Sequence, residues 1–173
     1  MTLGPEHGSV LVSTTAEGVG KGLGHDLVLV VKEWEATVEG SEDGRLSAVT
    51  FEADPGSLSV RDATGGAKPL SDDDRLKIAT EAERKVLGGE PIVFRSTSIA
   101  EAEGRTVVTG ELSLAGQTRP LSVPLEVSSD ARVRATFSLT HSEWGIKPYS
   151  ALLGALRVGD AVEIAIDVRL PPG

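Results

Sequence analysis

The chain has 173 residues, 39% of them apolar and 25% charged, with no cysteine and six aromatic residues. That length suits one domain, residues 1–173, with enough apolar material for a core. Lack of cysteine excludes disulfides, thiolate zinc sites, iron–sulfur clusters and cysteine nucleophiles, and a formal charge of −9 with no cluster of Lys or Arg argues against a nucleic-acid partner.

The first residues, Met1 to His7, lack a basic start followed by an apolar run, so no signal peptide is read. The longest wholly aliphatic stretch, Leu27 to Val31, is far too short to span a bilayer. No C-terminal prenylation motif exists without cysteine. The expectation is a soluble, cytoplasmic chain with no stable membrane insertion.

In chain order, residues 9–14 read as a strand. Gly18-Val19-Gly20-Lys21-Gly22-Leu23-Gly24 follows. It invites a phosphate-loop reading and fails it: no Gly lies five residues before Gly20, the one next to Lys21, and Gly22 stands where a magnesium-binding Ser or Thr belongs. It is read as a turn between strands. Residues 26–39 are long for one strand. Val28, Val30, Trp34, Ala36 and Val38 share a parity, but so does Lys32. A bulge that shifts the register is expected there. Residues 45–54 and 57–62 read as strands, with Val49, Phe51, Leu58 and Val60 inward.

A helix is expected over about 71–88. Ser71 with Asp74 three positions on is a capping signal, and three acids sit at the positive end of the dipole. Leu76, Ala79, Ala82 and Val86 mark its apolar face. Glu81 and Lys85 form an i,i+4 pair placed on the outer side. Gly88-Gly89 and Pro91 end the helix. A short helical turn is also expected within 150–156.

The second half alternates with period two. Residues 91–100 alternate poorly, but the next segments are regular. The inward sets are Val108, Gly110, Leu112 and Leu114; Leu121, Val123, Leu125 and Val127; Val133, Ala135, Phe137 and Leu139; and Val162, Ile164, Ile166, Val168 and Leu170. Turns are expected at 40–44, 54–56, 101–104, 116–119 and 128–130. Short connections favour antiparallel neighbours. About nine strand segments with one helix predict an all-β barrel or sandwich.

Catalytic material is scarce. No G-x-S-x-G or S-x-x-K occurs. His25 and Asp26 are adjacent, so on a strand they point to opposite faces. The three histidines, His7, His25 and His141, are not at ligand spacing, and a metal site or an enzyme using His25 and His141 would need the fold to bring them together. No catalytic residue, metal or cofactor is therefore assigned. His141 shares the inward parity of Val133 to Leu139, so it is either a hydrogen-bonded His at a barrel end or a polar contact for a ligand head group. Trp34, Trp144 and Tyr149 pack in the core or line a pocket.

Several stretches carry a resemblance. They are Val108-Thr109-Gly110-Glu111-Leu112-Ser113-Leu114-Ala115-Gly116-Gln117-Thr118-Arg119-Pro120-Leu121, Ala135-Thr136-Phe137-Ser138-Leu139, Gly145-Ile146, and Val158-Gly159-Asp160-Ala161-Val162-Glu163-Ile164. His7-Gly8-Ser9-Val10, Gly24-His25-Asp26-Leu27 and Lys147-Pro148-Tyr149-Ser150-Ala151-Leu152 agree with them. Together these resemble the YceI-like family, lipocalin-like polyisoprenoid-binding proteins. At His141 the chain departs from the Arg that the family commonly carries nearby.

The resemblance implies an eight-stranded antiparallel lipocalin-like barrel with one main helix and an extra strand segment. It also implies a long apolar isoprenoid or related long-chain lipid in the interior, no catalytic residues, and a homodimer, since members are often dimeric. The expected ligand wall is Val28, Val30, Trp34, Phe51, Phe94, Leu112, Leu125, Phe137, Leu139 and Ile164, with His141 as polar contact. The alternative is a closed-core stress-response or interaction scaffold, in which the same residues fill the barrel.

Overall fold

The computed structural model describes residues 1–42, 45–102 and 104–171. The turns expected at 40–44 and 101–104 each include residues outside that set. The strands are β1 (Thr2–Leu3), β2 (Gly8–Thr14), β3 (Ala16–Glu17), β4 (His25–Val31), β5 (Trp34–Gly40), β6 (Leu46–Ala53) and β7 (Leu58–Gly65). After the helix α1 (Asp72–Glu81) come β8 (Ile92–Ala102), β9 (Arg105–Leu114), β10 (Gln117–Val127), β11 (Arg132–Thr140), β12 (Ser150–Ala151), β13 (Leu156–Val158) and β14 (Ala161–Arg169). Every pairing is antiparallel.

The main sheet runs in the order β1-β5-β6-β8-β9-β10-β11-β14-β2-β4-β7. Three pairs of these eleven segments are single long strands broken by a bend. β1 and β2 are separated by a 3-10 turn at Pro5–His7, β4 and β5 by Lys32 and Glu33, and β6 and β7 by a 3-10 turn at Pro55–Ser57. The breaks stack beside one another, because Lys32 N donates to Ser57 O (3.3 Å) and Asp54 N donates to Glu33 O (3.1 Å). Counted as three long strands plus β8, β9, β10, β11 and β14, the sheet is a ring of eight. The strongly curled, lipocalin-like barrel expected from the resemblance is what the chain forms.

The ring has one weak seam. β10 and β11 share only the pairs Glu126↔Arg134 and Val127↔Val133, whereas β9 and β10 pair from Gln117↔Leu114 to Leu125↔Thr106. Proline has no N–H, and β10 carries Pro120 and Pro124 four residues apart, hence on one edge. With the β9 edge laddered, the proline edge faces the seam. The turn His141–Trp144 occupies that end, and Trp144 Nε1 donates to Leu112 O at 3.0 Å.

The β4–β7 pairing shifts register between Val28 and Leu29, but the change of parity expected near Lys32 comes from the bend at Lys32 and Glu33, and it corrects the wall upstream of it. The inward set is Leu27, Leu29 and Val31 before the bend and Trp34, Ala36 and Val38 after it. Val28 and Val30 therefore face outward, where Val30 lies opposite Leu11 of β2. Lys32 falls in the bend and is exposed.

A bulge between Ser96 and Ser98 of β8 explains the poor alternation of 91–100. Phe94 points in, and its ring lies over Gly110. A Cβ at Gly110 would stand 2.7 Å from Phe94 Cζ and 2.2 Å from Arg95 O.

The helix starts as expected. Ser71 Oγ accepts from Asp74 N (3.1 Å) and Asp74 Oδ2 accepts from Ser71 N (3.0 Å). It ends in a π-turn at Ala82–Val86, so regular α-helix stops short of residue 88. Its orientation differs from expectation. Leu76 is 68% exposed, while Ile78, Glu81 and Ala82 face the barrel interior. The short turn expected within 150–156 is a 3-10 turn at Leu152–Gly154.

Candidate functional site

Side chains of the ring pack as two clusters. One gathers Phe94, Leu112, Leu139 and Val162 with Leu87, Trp144 and Ile146 at the helix end. The other gathers Leu3, Val10, Val31, Trp34, Ala53 and Val168, with Trp34 stacked on Phe51 at a centroid distance of 6.0 Å. The clusters do not fill the lumen. A cavity of about 1070 Å³ lies against both, at the top of the roughly 300–1,000 Å³ range of small-molecule sites.

The expected wall residues can be placed against it. Trp34 of β5, Phe51 of β6, Phe94 of β8 and Leu112 of β9 line the cavity. So do Leu125 of β10, Phe137 and Leu139 of β11, and Ile164 of β14. Val28 and Val30 do not; Leu29 and Val31, each 5% exposed, take their places. The antiparallel register makes this wall continuous, since Phe51 lies opposite Phe94, Phe94 opposite Leu112, and Phe137 opposite Ile164.

Two mouths are recognisable. At the helix end the lining includes Leu23, His25, Asp74, Lys77, Tyr149 and Arg157; at the far end it includes Met1, Glu39, Glu101, Val127 and Leu170. Val19, Leu23, Leu152 and Leu153 are exposed apolar residues on the two loops beside the helix-end mouth. The loops are tied by Gly20 N donating to Ala155 O (2.7 Å). Leu152 and Leu153 have φ of 52° and 55°, left-handed values that cost an L-residue roughly 1–2 kcal/mol.

His141 also lines the cavity. Its backbone is fixed by N donating to Asp160 O (2.7 Å) and O accepting from Ile146 N (3.1 Å). Asp160 in turn accepts from Ser142 N (2.8 Å) and Ser142 Oγ (2.5 Å), which holds its carboxyl below the usual value. Burial pushes the His141 imidazole below its ordinary value, with the Asp160 charge opposing. The ring is therefore neutral at pH 7, and its Nδ1 is buried without a partner.

Glu81 is the residue the sequence reading missed. It does pair with Lys85, Oε1 accepting from Nζ at 2.8 Å. But it lines the cavity, and its Oε2 is buried without a partner. The i,i+4 pattern gives the ion pair, but not which side of α1 meets the barrel.

His25 sits at the mouth with Nε2 donating to Lys68 O (2.8 Å). Tyr149 lines the same mouth, whereas Trp144 is buried in the seam. Among the described residues no three His, Asp or Glu side chains come together as a metal would require. Nor, among the described residues, is any helix long and apolar enough to cross a membrane.

The fold is shared with solved structures. BcnA of Burkholderia cenocepacia superposes with a TM-score of 0.65 at 17% identity, over 92% of this chain and 94% of that one. The YCEI protein of Campylobacter jejuni superposes with a TM-score of 0.60 at 8% identity, over 87% of this chain and 85% of that one. No curated protein matches the sequence. The YceI-like domain pattern matches residues 2–170, nearly the whole length, so the chain belongs to the YceI-like family.

Proposed function

We propose that this protein binds and carries a long apolar isoprenoid or related lipid inside its barrel. The observation that carries the reading is the cavity of about 1070 Å³, walled by aliphatic and Phe side chains from every strand of the ring. The closed-core scaffold requires those side chains to fill the lumen, and a cavity of that size beside the packed clusters favours the binding reading over it. Transfer of apolar surface from water into such a lumen is worth roughly 25 cal/mol per Å². Binding therefore needs no catalytic group. The wall residues named above hold the tail, and a homodimer in the cytoplasm belongs to the same proposal.

The test is mass spectrometry of organic extract from protein purified natively from its own host, followed by uptake of added prenol or quinone. A co-purifying lipid, or saturable uptake, is expected. No co-purified lipid together with no uptake overturns the reading. Sedimentation at several concentrations checks the dimer.

A further inference from the structure

An apolar wall accounts for a hydrocarbon tail, but not for polar atoms buried against the same lumen without partners. Three such atoms belong to cavity-lining residues: Trp34 Nε1, Glu81 Oε2 and His141 Nδ1. A buried polar group left unpaired is costly. Glu81 and His141 lie at the helix end. Val86, five residues on from Glu81, packs on the cluster that includes Leu139 and Trp144, two residues before and three residues after His141.

Their chemistry restricts what can meet them. An ionised carboxylate only accepts hydrogen bonds, and a neutral imidazole nitrogen donates or accepts according to its tautomer. Glu81 Oε1 is already engaged by Lys85. The cations lining this mouth also face carboxylates. Arg157 Nε lies 3.7 Å from Glu17 Oε2, and Lys77 shares the start of α1 and the cavity lining with Asp74. An anionic head group would meet a carboxylate oxygen with no hydrogen to offer, and would have to draw a cation out of an existing pairing. A head group bearing a hydrogen-bond donor finds acceptors waiting.

We propose that Glu81 and His141 form a head-group site that selects lipids ending in a neutral or cationic hydrogen-bond donor, an alcohol or amine, and discriminates against phosphate and carboxylate ends. This rests on the lipid-binding reading and narrows it. The site sits where the tail's lumen meets the helix, so the head lies by α1 and the tail runs toward the far mouth.

The test uses four probes with one tail: geranylgeraniol, geranylgeranylamine, geranylgeranyl methyl ether and geranylgeranyl phosphate. Each is titrated into delipidated full-length protein, read by the fluorescence of Trp34 and Trp144. The alcohol and amine are expected to bind about tenfold or more tighter than the ether and the phosphate, the loss expected when a hydrogen bond to a charged group goes unmade. Glu81→Gln should narrow the gap between amine and phosphate about tenfold. Equal affinity for all four probes overturns the head-group site while leaving lipid binding intact. An unchanged gap between amine and phosphate in folded Glu81→Gln does the same. Failure of every probe to bind a protein with native circular dichroism overturns the lipid-binding reading, and this inference with it.

Discussion

Leu112→Ala and Ile146→Ala remove the same three carbons from the same cluster, yet they should differ in cost. Both side chains are 5% exposed. Leu112 borders the cavity, whereas Ile146 packs behind it against the seam. The transfer contribution is about 0.8 kcal/mol per buried carbon, or about 2.4 kcal/mol for either change. In a sealed core a further ~24 cal/mol per Å³ of void is added, taking such changes toward about 4 kcal/mol. Ile146→Ala should incur that addition. Leu112→Ala should not, because the vacated space joins a lumen already open to guest or solvent. The assay is urea unfolding of delipidated protein, comparing midpoints at constant slope. A difference of about 1–2 kcal/mol, with Ile146→Ala the more damaging, supports an open lumen. Equal costs, or a larger cost at Leu112, would mean that the barrel is closed in solution and would refute the reasoning.

Gly110→Ala should destabilise by about 2 kcal/mol or more, since its Cβ would stand 2.2 Å from Arg95 O and 2.7 Å from the Phe94 ring, and the β8–β9 ladder must yield; the urea midpoint reads this. Leu29→Ser should cost about 2 kcal/mol or more, and Val30→Ser well under that, because only the first faces the lumen; the reverse order would restore the parity first read from the sequence. Asp167 is held below the ordinary carboxyl value of 3.8 chiefly by Arg132, whose Nε and Nη2 donate to it at 2.5 and 2.7 Å. Its contribution is therefore present above about pH 4 and lost as pH falls through the lowered value, so Asp167→Asn should cost up to about 1 kcal/mol at pH 7 and progressively less as the pH falls below that range. His141 has its proton affinity lowered by burial from an ordinary value of 6.5. The unfolded chain protonates first, so stability is full above about pH 6.5 and declines below it; His141→Gln should flatten the urea midpoint between pH 7.5 and about 5.5.

Strands β9, β10, β11 and β14 were legible because no bend or bulge shifts the register within the β9–β10 and β11–β14 ladders. Thr136↔Ala165 and Phe137↔Ile164 continue a single register from Arg132↔Arg169 to Thr140↔Ala161, so parity in sequence is parity in space. Earlier strands break that equivalence. The two-residue bend at Lys32 and Glu33 moves the inward set from odd to even numbers. A parity count carried backward from Trp34 therefore selects Val28 and Val30 in place of Leu29 and Val31. The bend could be anticipated from Lys32, but the side of it to be renumbered could not. For α1, Ser71 and Asp74 fixed the start, since capping is local. The buried face is a tertiary fact. Leu76 belongs to the apolar spacing and points to solvent, while Glu81 belongs to a surface-type ion pair and points to the lumen.

Eight strands can close a barrel that side chains fill completely, or one that keeps room for a ligand. Two features tip this chain toward room. Its three neighbouring long strands bend at one level, which bows that side of the wall. Its inward positions are mostly Val, Leu and Ile, with Ala16, Ala36, Ala53 and Ala82 where larger residues would close the gap. With three Phe, two Trp and one Tyr in 173 residues, the sequence lacks the bulk to fill the lumen, and Trp144 is spent on the seam. The scarcity of aromatics is thus the composition of a hollow barrel. The aliphatic walls that remain are conformable ones, suited to a flexible chain more than to a flat ring.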